Sequence, residues 1–456
     1  MKTTCLIIAL SFGIIFGLGC AHPAPKFNTA LEYSKSKQFT PGRLVIIQGP
    51  TSANEANINI LAPVLKKYIY VVKDEEGKTY DVENYETVHT APLHWKVDKI
   101  YVNGLVPNKR YSLEVMDEFR SSRTQVDQRY FSALDTSKNS IKFAYASCMA
   151  DDYRFNDVID PMWARMEKLN PELIILNGDI VYVDSFDFVE RKKATELDIW
   201  FRFIDSFNRL PLYNWRNLKP ILTTWDDHDF GTNDGDREFS AKVAARKIFL
   251  AFFGGKNLKD VYQLEPDSVY FSFTGFKQKM LFTDDRYFRQ PNKKQKISEK
   301  YGHWGEKQHN WILSNLNDAN TPVWIFNGNQ VFSGKALAFK ESMQTNHPEH
   351  FGVFLEDLKV AKSPVIFGSG DIHFSEIMQI PANRIGYETF EVTSSSMHSY
   401  SGEGWENSLR IPGAFTNEFN FMMINAKYEN SVLTAEIETW GLADTPYFKK
   451  KIELKR

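Results

Sequence analysis

Between residues 42 and 136 the chain alternates apolar and polar positions over short stretches that end in turn formers. Arg43-Leu-Val-Ile-Ile-Gln, Tyr68-Ile-Tyr-Val-Val and Lys99-Ile-Tyr-Val-Asn are rich in β-branched and aromatic residues, so each is expected to form a strand. Glu75-Glu-Gly-Lys predicts a hairpin turn. From Ile141 the pattern changes to continuous apolar runs separated by stretches of helical spacing, which is how an α/β domain reads. Ile141 to Cys148, Pro171 to Asp179, Pro220-Ile-Leu-Thr-Thr and Ser363-Pro-Val-Ile-Phe-Gly-Ser predict buried strands. Asp160-Pro-Met-Trp-Ala-Arg-Met-Glu-Lys-Leu predicts a helix with Pro161 in its first turn. Val432-Leu-Thr-Ala-Glu-Ile-Glu-Thr-Trp and Lys449-Lys-Lys-Ile-Glu-Leu close the chain as strands, with no amphipathic helix to lid a site.

A length of 456 residues exceeds one ordinary core and points to two domains. Hydrophobic content of 43% and charged content of 25% are globular, and a net charge of -2 gives no nucleic-acid-binding signature. The first residues change the picture more. A basic start, Met1-Lys-Thr-Thr, precedes an apolar run ending at Gly19, too short for a comfortable membrane span and typical of a signal peptide. Cys20 after Gly19 resembles a bacterial lipoprotein cleavage site, with Gly17 where that pattern has Leu. Lipidation there would attach the chain to a membrane surface; the alternative is ordinary secretion. The expected division is a leader over 1–20, a tether over 21–39, a small β-sandwich over 40–137 and the α/β domain over 138–456. The expected location is the bacterial cell envelope, as an outer-membrane lipoprotein or in the periplasm. Of the three cysteines, only Cys148 falls in the folded part.

Four apolar runs end at their carboxyl tips in ligand-type residues: Cys148, Asp179, Asp227-His228, and Asp371-Ile-His373. In α/β sheets, sites form beyond the carboxyl ends of strands, so these tips can converge. Carboxylate, amide and imidazole are also the groups that a hard cation and a phosphate require. An EF-hand loop does not fit the Asp227 to Asp236 spacing, and no Gly-x-Ser-x-Gly elbow is present.

Gly-Asp-x-x-Tyr at 178–182, Trp-Asp-Asp-His-Asp at 225–229 and Gly-Asp-x-His at 370–373 follow a strand ending Ala-Ser-Cys. In that order they resemble the PhoD-like alkaline phosphatase family of metallophosphoesterases. The resemblance covers residues 40 to 440 and extends to Asp284-Asp-Arg and to Gly305-Glu-Lys-Gln-His-Asn-Trp-Ile-Leu. Leu105 to Val115 with Arg129 to Asp135 also resembles the last strands of a fibronectin III-like sandwich. The fold this implies is a four-layer αββα sandwich, of α/β (α+β) class, preceded by that small β-sandwich.

The activity implied is hydrolysis of phosphate esters, mono- or diester, with metal ions as cofactors: Fe3+ plus Ca2+, or Mn2+, Mg2+ or Zn2+. The resemblance places Asp179 as the carboxylate shared by two metals, with Cys148, Tyr182 and His373 on the iron. Asp227 and Asp371 go to the second ion, with Asn233 as an extra amide oxygen or as a turn former. Asp227 and Asp371 stand where the wider pattern has Asn and His, a shift toward oxygen that favours a hard second ion. His228 matches the histidine that contacts phosphate and protonates the leaving oxygen. Arg286 and Arg289 either clamp phosphate oxygens or pair with the neighbouring Asp residues. Asn329 and Gln330 are further candidates for approach to the site, His398 for a metal ligand or a substrate contact, and Ser394-Ser-Ser-Met-His398-Ser with Ser401-Gly-Glu-Gly-Trp for a polar loop at the entrance. Ile372 occupies a position where many relatives have Arg. Asp226, Asp229, Asp234 and Asp236 read as scaffold. A phospholipase D-like phosphodiesterase, and a surface lipoprotein that binds metal or phosphate without catalysis, are the alternative functions.

Overall fold

The computed structural model describes residues 44–90, 94–119, 122–185, 194–292, 299–334 and 341–456. The expected leader and tether, with Cys5 and Cys20, lie outside them.

Strands β1 (Val45–Thr51), β2 (Glu55–Pro63), β3 (Tyr68–Asp74), β4 (Thr79–Tyr80), β5 (Val82–Thr90), β6 (Trp95–Asn103), β7 (Arg110–Phe119) and β8 (Ser122–Ser132) build the N-terminal unit. They pair as two antiparallel sheets, ordered β1-β2-β6-β5 and β4-β3-β7-β8. Between β3 and β4 the expected hairpin turn is present, with Gly77 at φ 83 and its N–H bonded to Asp74 O. Alternation sets the two faces of the first sheet. Ile46, Ile58, Ile60 and Ile100 join Val72, Leu113 and Val115 of the second sheet in one core, while Val45, Ile47, Leu61 and Val97 pack into the following unit.

That unit begins with β9 (Ser140–Ala146), α1 (Asn156–Leu169), β10 (Leu173–Asn177), α2 (Glu196–Arg209), β11 (Ile221–Thr224), α3 (Asp227–Phe230) and α4 (Lys242–Phe253). It continues through β12 (Tyr262–Leu264), β13 (Phe271–Gly275), β14 (Gln278–Phe282), α5 (Gly305–Ser314), β15 (Val323–Phe326), α6 (Met343–Asn346) and α7 (Pro348–Val360). The remainder is all strand: β16 (Val365–Ser369), β17 (Ser375–Ile380), β18 (Thr389–Thr393), β19 (Arg410–Thr416), β20 (Phe421–Glu429), β21 (Val432–Trp440) and β22 (Phe448–Leu454). One sheet has the order β11-β10-β9-β20-β21-β22 and the other β12-β13-β14-β15-β16-β18-β17-β19. Within them β9, β10 and β11 run parallel, as do β14, β15, β16 and β18.

The sheets pack face to face. Phe143 and Tyr145 of β9 meet Trp324 and Phe326 of β15, whereas Ala144 and Ala146 between them turn toward Trp163, Phe203 and Phe252 of α1, α2 and α4. On the far side Phe354 of α7 packs on Phe367 of β16, which completes the αββα layering. The N-terminal sandwich docks beside α4, where Asn59 Nδ2 donates to Phe252 O (2.7 Å) and Gly254 O (3.1 Å).

Helix α1 starts at Asn156, four residues before the expected start, so Pro161 lies inside it. Its buried stripe, Val158, Ile159, Met162, Trp163 and Met166, begins ahead of the proline. Burial of that face outweighs the one hydrogen bond the ring forgoes.

Buried histidines join α5 to α7. The His303 N–H donates to His350 Nδ1 (3.1 Å), His350 Nε2 lies 3.0 Å from His309 Nδ1, and His309 Nε2 lies 2.9 Å from the partly exposed Asp357 carboxylate. Because His350 Nδ1 accepts, its proton sits on Nε2, and the same logic passes to His309. Burial pushes His350 down to about 3. A neutral folded ring contributes stability that is full above the ordinary histidine range and is lost as pH falls toward the folded value. The loss is about 1.4 kcal/mol per pH unit for one proton. His350→Gln should therefore flatten the pH dependence of urea unfolding by about one proton between roughly pH 6 and pH 4. An unchanged slope would contradict this.

Candidate metal centre

Parallel strands bring their carboxyl tips to one edge, and four tips meet there. Cys148 stands two residues past β9, Asp179 two past β10, and Asp371 two past β16, while Asp226 and Asp227 follow β11. Three of these strands belong to one sheet and β16 to the other. Cys148, Asp179, Asp371 and His373 have φ of 56, 53, 69 and 58°, in the left-handed region that non-glycine residues seldom adopt. Each strand is thus ended sharply at the residue that carries a donor atom.

Gly178 makes one of these turns possible. Its φ is 84°, and a Cβ there would lie 2.6 Å from Asp226 Cβ. Gly178→Ala is expected to destabilise the fold by about 2–4 kcal/mol through backbone strain and overpacking, read as a lowered urea midpoint. An unshifted midpoint would show that the turn has room to spare.

Four sets of side chains place ligand atoms within 4.8 Å of one another. They are Cys148, Asp179 and His373; Asp179, Asp227 and His228; Asp179, Asp226, Asp227 and Asp371; and Asp227, Asp234 and Glu341. Asp179 links the first set to the carboxylate sets. Its Oδ2 lies 3.5 Å from Cys148 Sγ and 3.4 Å from the Tyr182 hydroxyl, which in turn lies 3.5 Å from His373 Nε2.

The electrostatics are those of a site that wants positive charge. Burial, reinforced by the Cys148, Asp227 and Asp226 side chains, raises Asp179 well above the usual carboxylate range, although His228 opposes it. Burial also raises Asp226, against the pull of Arg286, and raises Asp371 with help from Glu341 and Asp227. It pushes the Cys148 thiol up to about 12, despite hydrogen bonding with Ser147 and Ser395, and takes the Tyr182 phenol well up too. One Asp226 oxygen, Oδ2, is buried with no hydrogen-bond partner among the described residues. A bound cation would relieve the repulsion and engage the orphaned oxygen. The donor set therefore fits metal ions.

His228 sits at the mouth of the carboxylate set. Its Nδ1 lies 2.6 Å from Asp184 Oδ1, and its ring stacks on Tyr182 with centroids 4.1 Å apart. Burial alone would lower its pKa; Asp227, Asp179 and Asp184 together hold it well above the ordinary value. Asp184 also accepts the Asn233 N–H (2.7 Å), and the Asn233 residue itself is exposed.

Several of the expected contact residues have partners within the protein. Arg286 is fully buried, with its guanidinium taken by Asp226 and Glu341. Arg289 pairs with Glu341 and Asn292. Asn329 binds Glu341 and Asp285, and Gln330 binds Glu376 and Thr393. His398 is fully buried: its Nε2 accepts from Trp163 (3.0 Å), and its Nδ1 lies 2.9 Å from Ala150 O. Both ring nitrogens are spent, which leaves neither for a ligand. Of the expected entrance loop, Ser394 to Ser399 are buried, with Ser395 Oγ donating to Cys148 Sγ (3.0 Å), whereas Ser401 to Trp405 are exposed or half-buried. Ile372 is half-buried.

Sequence reasoning gave Asp184 and Glu341 no role and read Asp226 and Asp234 as scaffold, whereas all but Asp184 join a ligand set. For Asp184 a signal existed, since Gly-Asp-x-x-Tyr runs on to a further carboxylate. Glu341 follows no strand tip and gave none. Asp229 has scaffold contacts: from within α3 it completes the capping box on Asp226, accepting the Val181 and Asp226 N–H groups.

Layers and site together define an αββα α/β protein with an accessory β-sandwich and a metal-ligand cluster at its strand tips. The solved structure of PhoD has this fold: it superposes at a TM-score of 0.67 over 91% of this chain and 90% of its own, with 16% identity. An amylomaltase from Corynebacterium glutamicum aligns over 32% of this chain at a TM-score of 0.15 and 10% identity, too little to argue from. No family model and no curated protein matches the chain.

Proposed function

We propose that the chain is a metal-dependent phosphoesterase. The observation that carries this reading is the convergence of four strand tips, from two sheets, on one cluster of thiol, phenol, imidazole and carboxylate donors. The likeness in fold to PhoD and the resemblance of the motifs to alkaline phosphatases support it from separate directions. Cys148, Tyr182 and His373 suit a ferric ion. The oxygens of Asp179, Asp226, Asp227 and Asp371 suit a hard ion, calcium first and magnesium or manganese next. When bound, such ions supply Lewis acidity to phosphoryl oxygens and acidify water. His228, held protonated by Asp227, Asp179 and Asp184 and oriented by the last of these, is placed to donate a proton to the departing alkoxide. That pairing favours catalysis over a surface protein that only holds metal.

Elemental analysis with assays on nitrophenyl phosphate mono- and diesters tests the reading. Bound metal, a visible ferric–phenolate band and hydrolysis of either ester that chelation abolishes are expected. Hydrolysis of the diester alone selects the phosphodiesterase alternative, and bound metal with neither ester hydrolysed refutes the enzyme. We also propose export and anchoring through Cys20, supported by the basic start, apolar run and Gly-Cys step. Mass spectrometry of the mature N-terminal peptide checks this, and an unlipidated peptide would refute it.

A further inference from the structure

Two loops meet at the rim of the centre. One continues from the Cys148 turn and carries Asp152, Arg154 and Phe155. The other spans the cluster: the Met397 and His398 N–H groups donate to Ser147 O (3.0 Å) and Cys148 O (3.3 Å), and the Gly402 N–H donates to His373 O (2.7 Å). Tyr400 lies between these anchors, two residues from each, so its backbone is fixed against the turns that present Cys148 and His373.

The residue is nevertheless 51% exposed. The ring is braced, not loose. Phe155 meets it edge-on at 5.6 Å and 88°, and the Arg154 guanidinium lies over it at 5.0 Å. Asp152 holds that guanidinium through two bonds, Nε to Oδ1 at 2.9 Å and Nη2 to Oδ2 at 2.6 Å. The carboxylate offsets the charge of Arg154, so the pair offers a flat, nearly neutral stacking surface and not a clamp for a second anion. A fixed aromatic face left half open beside a polar centre is what a planar group stacks on.

We propose that Tyr400, braced by Arg154, is a leaving-group subsite, and that the preferred substrates are phosphate esters whose departing alcohol carries an aromatic ring, aryl or nucleobase. The inference rests on the phosphoesterase reading. Phenethyl phosphate and butyl phosphate have alcohols that leave with similar ease, so the ratio of their kcat/KM values isolates recognition of the ring.

Wild-type enzyme is expected to favour phenethyl phosphate. Tyr400→Ala should lower that ratio about five- to tenfold, chiefly through KM, as loss of one aromatic stacking partner implies. Tyr400→Phe should restore it. A variant that merely disturbed the Cys148 loop would slow both esters alike and leave the ratio unmoved. If both esters are hydrolysed and Tyr400→Ala leaves the ratio unchanged, the subsite is overturned while the phosphoesterase reading stands. If metal-loaded wild-type protein hydrolyses diesters alone, the same ratio and the same outcomes are read on methyl phenethyl and methyl butyl phosphate; if it hydrolyses neither class of ester, both readings are overturned.

Discussion

Asp179→Ala is expected to lose bound metal and ester hydrolysis together, with activity falling by at least about a thousandfold. Asp179 and Asp227 each enter three of the four ligand sets, but only Asp179 also belongs to the set with Cys148 and His373. Its removal therefore uncouples the two halves of the centre, which loss of a peripheral ligand would not do. The metal-free fold should survive the change. Burial and neighbouring acids make the ionised Asp179 unfavourable without a cation, so metal-free Asp179→Ala should be at least as stable as metal-free wild type. Elemental analysis, turnover and denaturant unfolding on the same samples check all three parts. Full turnover with metal retained would end the proposal.

The second large effect concerns proton donation. His228→Ala should lower kcat by about a hundred- to a thousandfold on alkyl phosphates, whose alkoxides need a proton. It should cost much less on nitrophenyl phosphate, whose leaving group departs without one. Asp184→Asn, which keeps the shape but removes the charge facing His228 Nδ1, should follow the same pattern at about a tenth of the effect. Equal losses on both esters would assign His228 to phosphate binding rather than to the leaving group.

These expectations show which parts of the molecule were legible in the sequence. The strand tips were, because an apolar run followed at once by a ligand-type residue is a local signal. Cys148, Asp179, Asp227, Asp371 and His373 all announced themselves that way. What stayed hidden depends on pairing across long sequence separations. Nothing near Arg286 reveals that Glu341 and Asp226 occupy its guanidinium, and nothing near His398 reveals that Trp163 occupies its Nε2. Both side chains carry the chemistry of a catalytic group, and both are fully buried among partners far away in sequence. The change in hydrophobic period at Ile141 falls within β9, the first strand of the α/β unit. The start of α1 was not legible, since Pro161 is a stronger local marker than the buried stripe that overrides it.

The left-handed backbone at Cys148, Asp179, Asp371 and His373 has a consequence for how this protein would respond to selection for heat resistance. Glycine relaxes each of these corners, and each non-glycine residue there costs on the order of 1 kcal/mol. A screen that rewarded folding alone would be expected to enrich glycine or asparagine at these four positions and to drift toward a robust but inert chain. Thermal resistance and activity should separate first at these four turns, before any change reaches the packed interior between the sheets.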